Sequence, residues 1–164
     1  MFVSPGPASG NVSRLDQLAE RGAVDGAAPV VASGTIVVDA PARLVWDILA
    51  DVVNWPSIRS DIGEVTFDDV PRRGAIFTWS TAGVALRSRF GSVEPANLLT
   101  WSTVAPGLDA VHVYRFEAID PGHTRIRAEE SMNAPAAPYL DNAILAEQIR
   151  TWLEGLKARA EGRA

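Results

Sequence analysis

The amino-acid sequence predicts an α+β fold in which a seven-stranded antiparallel sheet curves around one long C-terminal helix. Three features lead to this prediction: a strand pattern followed at once by two short helices, six further strand patterns separated by short turns, and a long helical pattern at the end. Short connections favour antiparallel neighbours, because parallel strands need long crossovers. Since one helix cannot cover a whole sheet face, we expect the sheet to curve around the helix and leave an internal cavity.

The first strand and the helices after it follow from local sequence signals. The β-branched segment 33–39 predicts a strand. Pro41 suits the first turn of a helix, where its missing N–H costs nothing, and apolar residues recur at helical spacing over 41–51. Pro56 blocks continuation of that helix, so we expect one further short helical turn over 55–61.

The remaining elements alternate with glycine and proline turn signals. After Pro138 the apolar spacing changes to that of a helix, which we expect over 138 to about 160 with Arg150 and Glu154 as an ion pair on its polar face. The six intervening strands are predicted at 62–68, 75–81, 84–94, 98–104, 110–119 and 124–132.

Residues 1–30 differ in composition from residues 31–164, which we expect to form the folded domain. The first segment is rich in Gly, Pro, Ala and Ser and predicts a flexible arm. Within it, 13–22 predicts a short helix with Ser13 as N-cap and Gly22 as terminator. This helix is either a loosely attached arm or a lid over a pocket. The N-terminus lacks the basic and apolar regions of a secretory signal.

Composition and charge exclude several classes of function. Of 164 residues, 47% are apolar and 21% charged, as in ordinary globular domains, and the net charge of −5 without a long basic run predicts no nucleic-acid binding.

The absence of Cys excludes thiol chemistry and Cys-ligated metals, and the two His lie in no metal-binding spacing. No phosphate-binding loop or dinucleotide fingerprint occurs, so we expect no cofactor. No apolar run reaches the ~20 residues that span a bilayer, so we expect a cytoplasmic protein without stable membrane insertion.

The order of elements, together with four sequence motifs, resembles the START-like (SRPBCC, Bet v 1-like) superfamily over residues 33–161, and within it the polyketide cyclase/dehydrase group. The resemblance implies a helix-grip fold and a hydrophobic small molecule as partner. Members of the superfamily include lipid and hormone carriers, aromatase/cyclases and hydrolases, so activity must be argued from the site. The motifs are 41-PARLVWDILADVVNWPSI-58, 93-VEPANLLTWS-102, 114-YRFEAIDPGHTRIRAEESM-132 and 151-TWLEGLKARAE-161.

Strand alternation predicts which side chains face the cavity, because residues i and i+2 share a face. The hairpin 110–132 turns at Pro121-Gly122, which places Glu130 opposite His112 or Tyr114. An inward carboxyl among aromatic residues could act as a general acid, with His112 as base and Tyr114 donating to a developing oxyanion. The same pair is also compatible with a purely structural role.

The predicted ligand-binding residues line the same face. On the opposite face, Thr100 and Ser102 are expected to meet solvent. Arg59, just after Pro56, could lie near the pocket entrance or away from it. The predicted ligand-binding set is Trp101, Trp79, Phe77, Phe90, Leu86, Ser88, Phe116, Met132, Ile144, Gln148 and Trp152.

Three functions are compatible with these predictions. The first is a cyclase or dehydratase that acts on a polyketide-like or other apolar carbonyl compound. The second is a non-catalytic carrier or sensor of a hydrophobic ligand such as a lipid. The third is a protein-partner domain with a vestigial cavity. Convergence of polar groups at one point of the cavity would favour catalysis. An exposed edge strand allows either a monomer or a homodimer.

Overall fold

A computed structural model describes residues 12–162, which form one antiparallel sheet with helices on both of its faces. The strands are β1 (Val30–Val38), β2 (Ile76–Thr81), β3 (Val84–Glu94), β4 (Leu98–Ala105), β5 (Leu108–Asp120) and β6 (His123–Asn133). Their order in the sheet is β1-β6-β5-β4-β3-β2. The helices are α1 (Arg14–Glu20), α2 (Ala42–Ala50), a 3₁₀ helix (Val52–Ser57) and α3 (Asn142–Ala160).

The sheet has six strands, so the prediction of seven was wrong. Segment 62–68 pairs with β2 only through two isolated bridges, Ile62 with Thr81 and Thr66 with Thr78. Between the two bridges the segment advances by four residues, whereas β2 advances by three. The extra residue in the segment interrupts a regular ladder of hydrogen bonds. The segment therefore runs beside β2 as an irregular edge.

Helix α3 begins later than its apolar pattern predicted. Asp141 caps it, because its carboxylate accepts a hydrogen bond from the backbone N–H of Ile144. The buried residues of α3 face β1 and β6, and Gly155 lets the helix approach the backbone carbonyl of Ile58. The predicted pair of Arg150 with Glu154 is present. No helix within residues 12–162 has both the length and the apolar character needed to cross a membrane.

Helix α1 lies on the outer face of the sheet, opposite α3, where it packs against β3, β4 and β5. Its N-terminus carries a capping box in which Ser13, the predicted N-cap, is paired with Asp16. Thr100 and Ser102 were wrongly predicted to meet solvent: they are 0% and 4% exposed because α1 covers them. The α1 helix lies away from the face that α3 covers, so it is not a lid there. The flexible arm was predicted for residues 1–30, of which residues 1–11 lie outside the described residues.

The centre of the domain, between the sheet and α3, is filled by aromatic rings. Trp55 is fully buried and lies 4.9–5.3 Å, between ring centroids, from four other rings. These rings belong to Phe77, Trp79, Trp101 and Trp152. The described residues do not show the internal cavity expected from the sequence, because the Trp55 ring occupies that space.

Candidate functional site

His112 and Glu130 form a buried pair on the inner face of the sheet. The β5–β6 register places them directly opposite each other, as one of the two predicted pairings, whereas Tyr114 lies opposite Ala128. The two side chains belong to residues only 6% and 5% exposed. His112 Nδ1 lies 3.3 Å from Glu130 Oε2. The pair thus places an imidazole and a carboxylate, both able to exchange protons, side by side on the inner face.

A line of polar contacts runs from His112 across the sheet to β2. His112 Nε2 lies 3.2 Å from Thr103 Oγ1, which lies 2.8 Å from Ser88 Oγ. Ser88 Oγ in turn accepts a hydrogen bond from Trp79 Nε1 at 3.0 Å. The line forms because Thr103 and Ser88 are cross-strand partners and all four side chains face inward. Buried polar groups connected in this way polarise one another and hold fixed orientations.

Trp101 stacks between the rings of His112 and Tyr114. Its ring centroid lies 4.8 Å from that of His112 at an interplanar angle of 15°, and 5.4 Å from that of Tyr114 at 10°. Among the described residues, Trp101 Nε1 and His112 Nδ1 are buried without a hydrogen-bond partner, because the 3.3 Å contact of Nδ1 with Glu130 lacks hydrogen-bond alignment. Buried unpaired polar atoms cost about 1–3 kcal/mol each and are frequent at functional sites.

Tyr114 supplies a neutral hydroxyl to the same site. Burial raises the pKa of its phenol well above the ordinary value, and the charge of Glu130 raises it further. The charge of Arg59 opposes this rise in pKa without cancelling it. Tyr114 therefore stays protonated near neutral pH and can donate a hydrogen bond to an oxygen that gains negative charge.

Arg59 lies at the edge of this site, a position that the sequence left open. Its side chain is 14% exposed, and the guanidinium carbon lies 5.3 Å from the ring centroid of Trp152. Both carboxylate oxygens of Asp61 hold the guanidinium, at 2.9 and 2.5 Å. Burial acts to raise the pKa of Asp61, but the hydrogen bond and charge of Arg59 outweigh it and lower that pKa. The site thus includes one fixed cation.

Most of the predicted ligand-binding residues are buried in the described core. Ile144 is half-buried and Gln148 is exposed, because the buried stripe of α3 includes Leu145 and Ile149 rather than their preceding neighbours. Nine of the eleven are buried: Trp101, Trp79, Phe77, Phe90, Leu86, Ser88, Phe116, Met132 and Trp152.

The candidate site predicted from the sequence does not include Thr103, although strand alternation puts it on the same face as Trp101. Its role depends on cross-strand neighbours, and those follow only from the strand registers. A polar side chain two residues after the stacked Trp101 was the available signal. Within residues 12–162, no group of three or more His, Asp or Glu side chains is placed to share a metal ion.

The profile of one protein family, described as "Polyketide cyclase / dehydrase and lipid transport", matches residues 29–161. No curated protein gives a match. The matched range covers all six strands and includes His112, Glu130 and Tyr114.

Solved structures share this fold at low sequence identity. A hypothetical protein from Helicobacter pylori has a TM-score of 0.72 and 18% identity, covering 82% of this chain and 90% of that chain. The ZhuI aromatase/cyclase from Streptomyces sp. R1128 has a TM-score of 0.65 and 20% identity, covering 81% and 94%. A START superfamily protein from Mycobacterium smegmatis has a TM-score of 0.69 and 12% identity, covering 82% and 99%. At these identities the likeness establishes the fold alone.

Proposed function

Because the chain belongs to the polyketide cyclase / dehydrase and lipid transport family, we propose that it binds an apolar small molecule, polyketide-like or lipid-like, between the sheet and α3 and catalyses its dehydration or cyclisation. One observation carries the catalytic part of the proposal. The buried pair of His112 and Glu130 lies beside the neutral hydroxyl of Tyr114 in an otherwise aromatic interior. Purely structural packing does not need three ionisable groups on one inner face.

The chemistry would be a proton transfer at a carbon next to a ligand carbonyl. One member of the His112–Glu130 pair removes that proton, and the carbonyl oxygen gains the negative charge. Tyr114 donates a hydrogen bond to this oxygen. In a dehydration, a proton then goes to the neighbouring hydroxyl, which leaves as water. In an aldol cyclisation, the carbon that lost its proton attacks a second carbonyl of the same chain, whose oxygen is protonated.

The aromatic residues would bind the apolar part of the ligand. Trp101, Trp79 and Trp152 offer flat apolar surfaces, and holding a flexible chain in one folded shape can itself accelerate a cyclisation. Since Trp55 fills the centre of the domain, the proposal requires this ring to move when a ligand enters. Pre-existing minor conformations of this kind are selected by ligands that bind them better.

A second candidate is carriage of the same class of ligand without catalysis. The number of aromatic rings around Trp55 favours it, because pockets for apolar ligands combine such rings with a few polar anchors. His112, Glu130 and Tyr114 would then hold the ligand in one orientation and leave it chemically unchanged.

The Glu130→Gln variant distinguishes these functions. Native mass spectrometry of the purified protein first identifies a co-purifying ligand, and turnover of that compound is then measured. If the protein is an enzyme, Glu130→Gln should lower turnover by about 10²- to 10⁴-fold, because the amide cannot exchange a proton. Ligand retention should change much less.

The matched control is Glu129→Gln, which alters the neighbouring carboxylate. Glu129 faces the outer side of the sheet and pairs with Arg127, so its replacement should leave turnover and retention unchanged. Retention of a ligand that the wild-type protein never converts would favour carriage. If Glu130→Gln preserved both turnover and retention, the site would be assigned to the wrong residues.

A further inference from the structure

We infer that Thr103 is a positioning residue that holds His112 as the tautomer with its proton on Nδ1, the nitrogen nearest to Glu130. The inference concerns the division of roles within the pair, and it rests on the proposed function only in treating that pair as the working site. It follows from the direction of the hydrogen bonds along the line Trp79–Ser88–Thr103–His112.

Trp79 fixes which atoms donate and which accept along this line of hydrogen bonds. An indole nitrogen carries a hydrogen and has no lone pair to accept one, so Trp79 Nε1 can only donate. Its partner at 3.0 Å, Ser88 Oγ, is therefore an acceptor in this contact. The hydroxyl hydrogen of Ser88 still needs an acceptor of its own, because Ser88 is fully buried.

Within the described part of the chain, the acceptor available to the Ser88 hydroxyl is Thr103 Oγ1 at 2.8 Å. If Ser88 donates to it, Thr103 passes its own hydrogen to His112 Nε2 at 3.2 Å. The opposite direction would leave the Ser88 hydrogen buried without an acceptor. An unpaired buried hydrogen is costly, and this favours the first direction. In that direction the His112 Nδ1 hydrogen has the Glu130 carboxylate nearby, with Nδ1 3.3 Å from Oε2, although without hydrogen-bond alignment.

The tautomer of His112 follows from this direction. A neutral imidazole carries one hydrogen, so a ring whose Nε2 accepts from Thr103 carries its hydrogen on Nδ1. Nδ1 is the nitrogen 3.3 Å from Glu130 Oε2. The other tautomer would turn a lone pair of Nδ1 towards the carboxylate, which is electrostatically unfavourable. The surroundings of Nε2 and of Nδ1 thus both favour the tautomer with its hydrogen on Nδ1.

This assignment separates the roles of the two residues. The Nε2 lone pair of His112 is engaged by Thr103, so neutral His112 has no free basic nitrogen. Glu130 is then the group that accepts a proton from the ligand, and the His112 N–H supports its carboxylate form. The roles first expected from the sequence, with Glu130 as acid and His112 as base, are exchanged in the proton-removing step.

Nitrogen-15 NMR of the full chain without ligand tests the assignment. The chain has two histidines, so the imidazole region contains two sets of signals, and His123→Gln assigns them. In the neutral imidazole of His112 we expect the proton on Nδ1. Thr103→Val keeps the shape and removes the hydroxyl, and it should shift the population towards the Nε2–H form by tenfold or more. Thr103→Ser should restore the wild-type spectrum.

Thr100→Val is the matched control. Thr100 lies on the same strand, is equally buried, and donates its hydroxyl to Ala19 on the outer face. Its replacement should cost comparable stability and leave the His112 signals unchanged. Ser88→Ala removes the competing acceptor of the Thr103 hydroxyl, so it should leave the His112 proton on Nδ1.

A wild-type His112 with its proton on Nε2 would overturn the inference, as would a Thr103→Val spectrum identical to wild type. If Thr103→Val fails to fold by circular dichroism, the wild-type, Thr103→Ser and Ser88→Ala spectra still decide. The measurement needs neither ligand nor turnover. The tautomer of His112 can therefore prove wrong while Glu130→Gln abolishes turnover, and it can prove right while Glu130→Gln has no effect on turnover.

Discussion

The two histidines of the chain lie on the same hairpin in opposite surroundings. His112 is buried between strands, whereas His123 is half-exposed beside the turn, with Nδ1 2.7 Å from an Asp120 carboxylate oxygen. The hydrogen bond and charge of Asp120 raise the pKa of His123, and Asp39 adds to the effect. A raised folded-state pKa means that protonated His123 stabilises the fold below its unfolded pKa, and that this contribution is lost as pH rises through the folded value.

Asp120→Asn should therefore lower the pKa of His123 towards its ordinary value. The acidic partner is lost, while the longer contact of 3.6 Å with Asp39 keeps part of the shift. An NMR titration of the two histidines measures the change directly. Glu117→Gln is the control, because Glu117 pairs with Arg125 on the same hairpin and leaves His123 untouched. An unchanged His123 pKa in Asp120→Asn would contradict the assigned cause.

The sequence reduced the cross-strand partner of Glu130 to His112 or Tyr114. The register of the hairpin, which shifts between Ala118 and Asp120, places His112 opposite Glu130. The place of Arg59 depends on an irregular loop without periodicity, and its contact with Trp152 bridges distant parts of the chain. The burial of Thr100 depends on where α1 packs, which strand alternation does not report.

Among the elements, α1 and the bulge of β3 fit together closely. The β3–β4 register shifts between Phe90 and Val93, and this bulge brings Gly91 against α1. A Cβ atom at Gly91 would lie 2.5 Å from the carbonyl carbon of Ala19 and 2.6 Å from Thr100 Oγ1. Backbone atoms cannot move aside as a flexible side chain can, so the absence of a side chain at this position permits α1 to pack on the sheet.

Gly91→Ala should destabilise the protein by about 1–3 kcal/mol, as overpacking of a close contact does. The fall should appear as a lower midpoint of urea unfolding. Gly26→Ala is the control, because a Cβ there meets no atom within 4 Å and its stability should match wild type. Equal midpoints for Gly91→Ala and Gly26→Ala would show that α1 can shift without loss of stability.

The elements themselves were predictable where their signals are local. Strands β3 and β4 match their predicted ranges closely because Gly and Pro turns delimit them. The first residue of α3 was harder to predict, because the apolar pattern already starts before Asp141, the residue that caps the helix. Segment 62–68 has strand-like composition, yet its pairing with β2 is decided by one extra residue that no composition rule detects.

For the whole molecule, the five tryptophans are all buried, so their fluorescence reports the core rather than the surface. One connected cluster of apolar residues links the sheet, α2 and α3. We therefore expect urea unfolding followed by fluorescence and by far-ultraviolet circular dichroism to give one coincident transition. Two separated midpoints would contradict a single cooperative core. The monomer or homodimer state and the cytoplasmic location stay predictions from the sequence.

The packing of Trp55 against Trp79, Trp101 and Trp152 also has a spectroscopic consequence. With centroid distances of 4.9–5.2 Å, excitation absorbed by one of these indoles can migrate to the others. Such migration depolarises the emission. Under the proposed function, entry of a ligand between these rings should therefore change the emission anisotropy, which can be measured without an added dye.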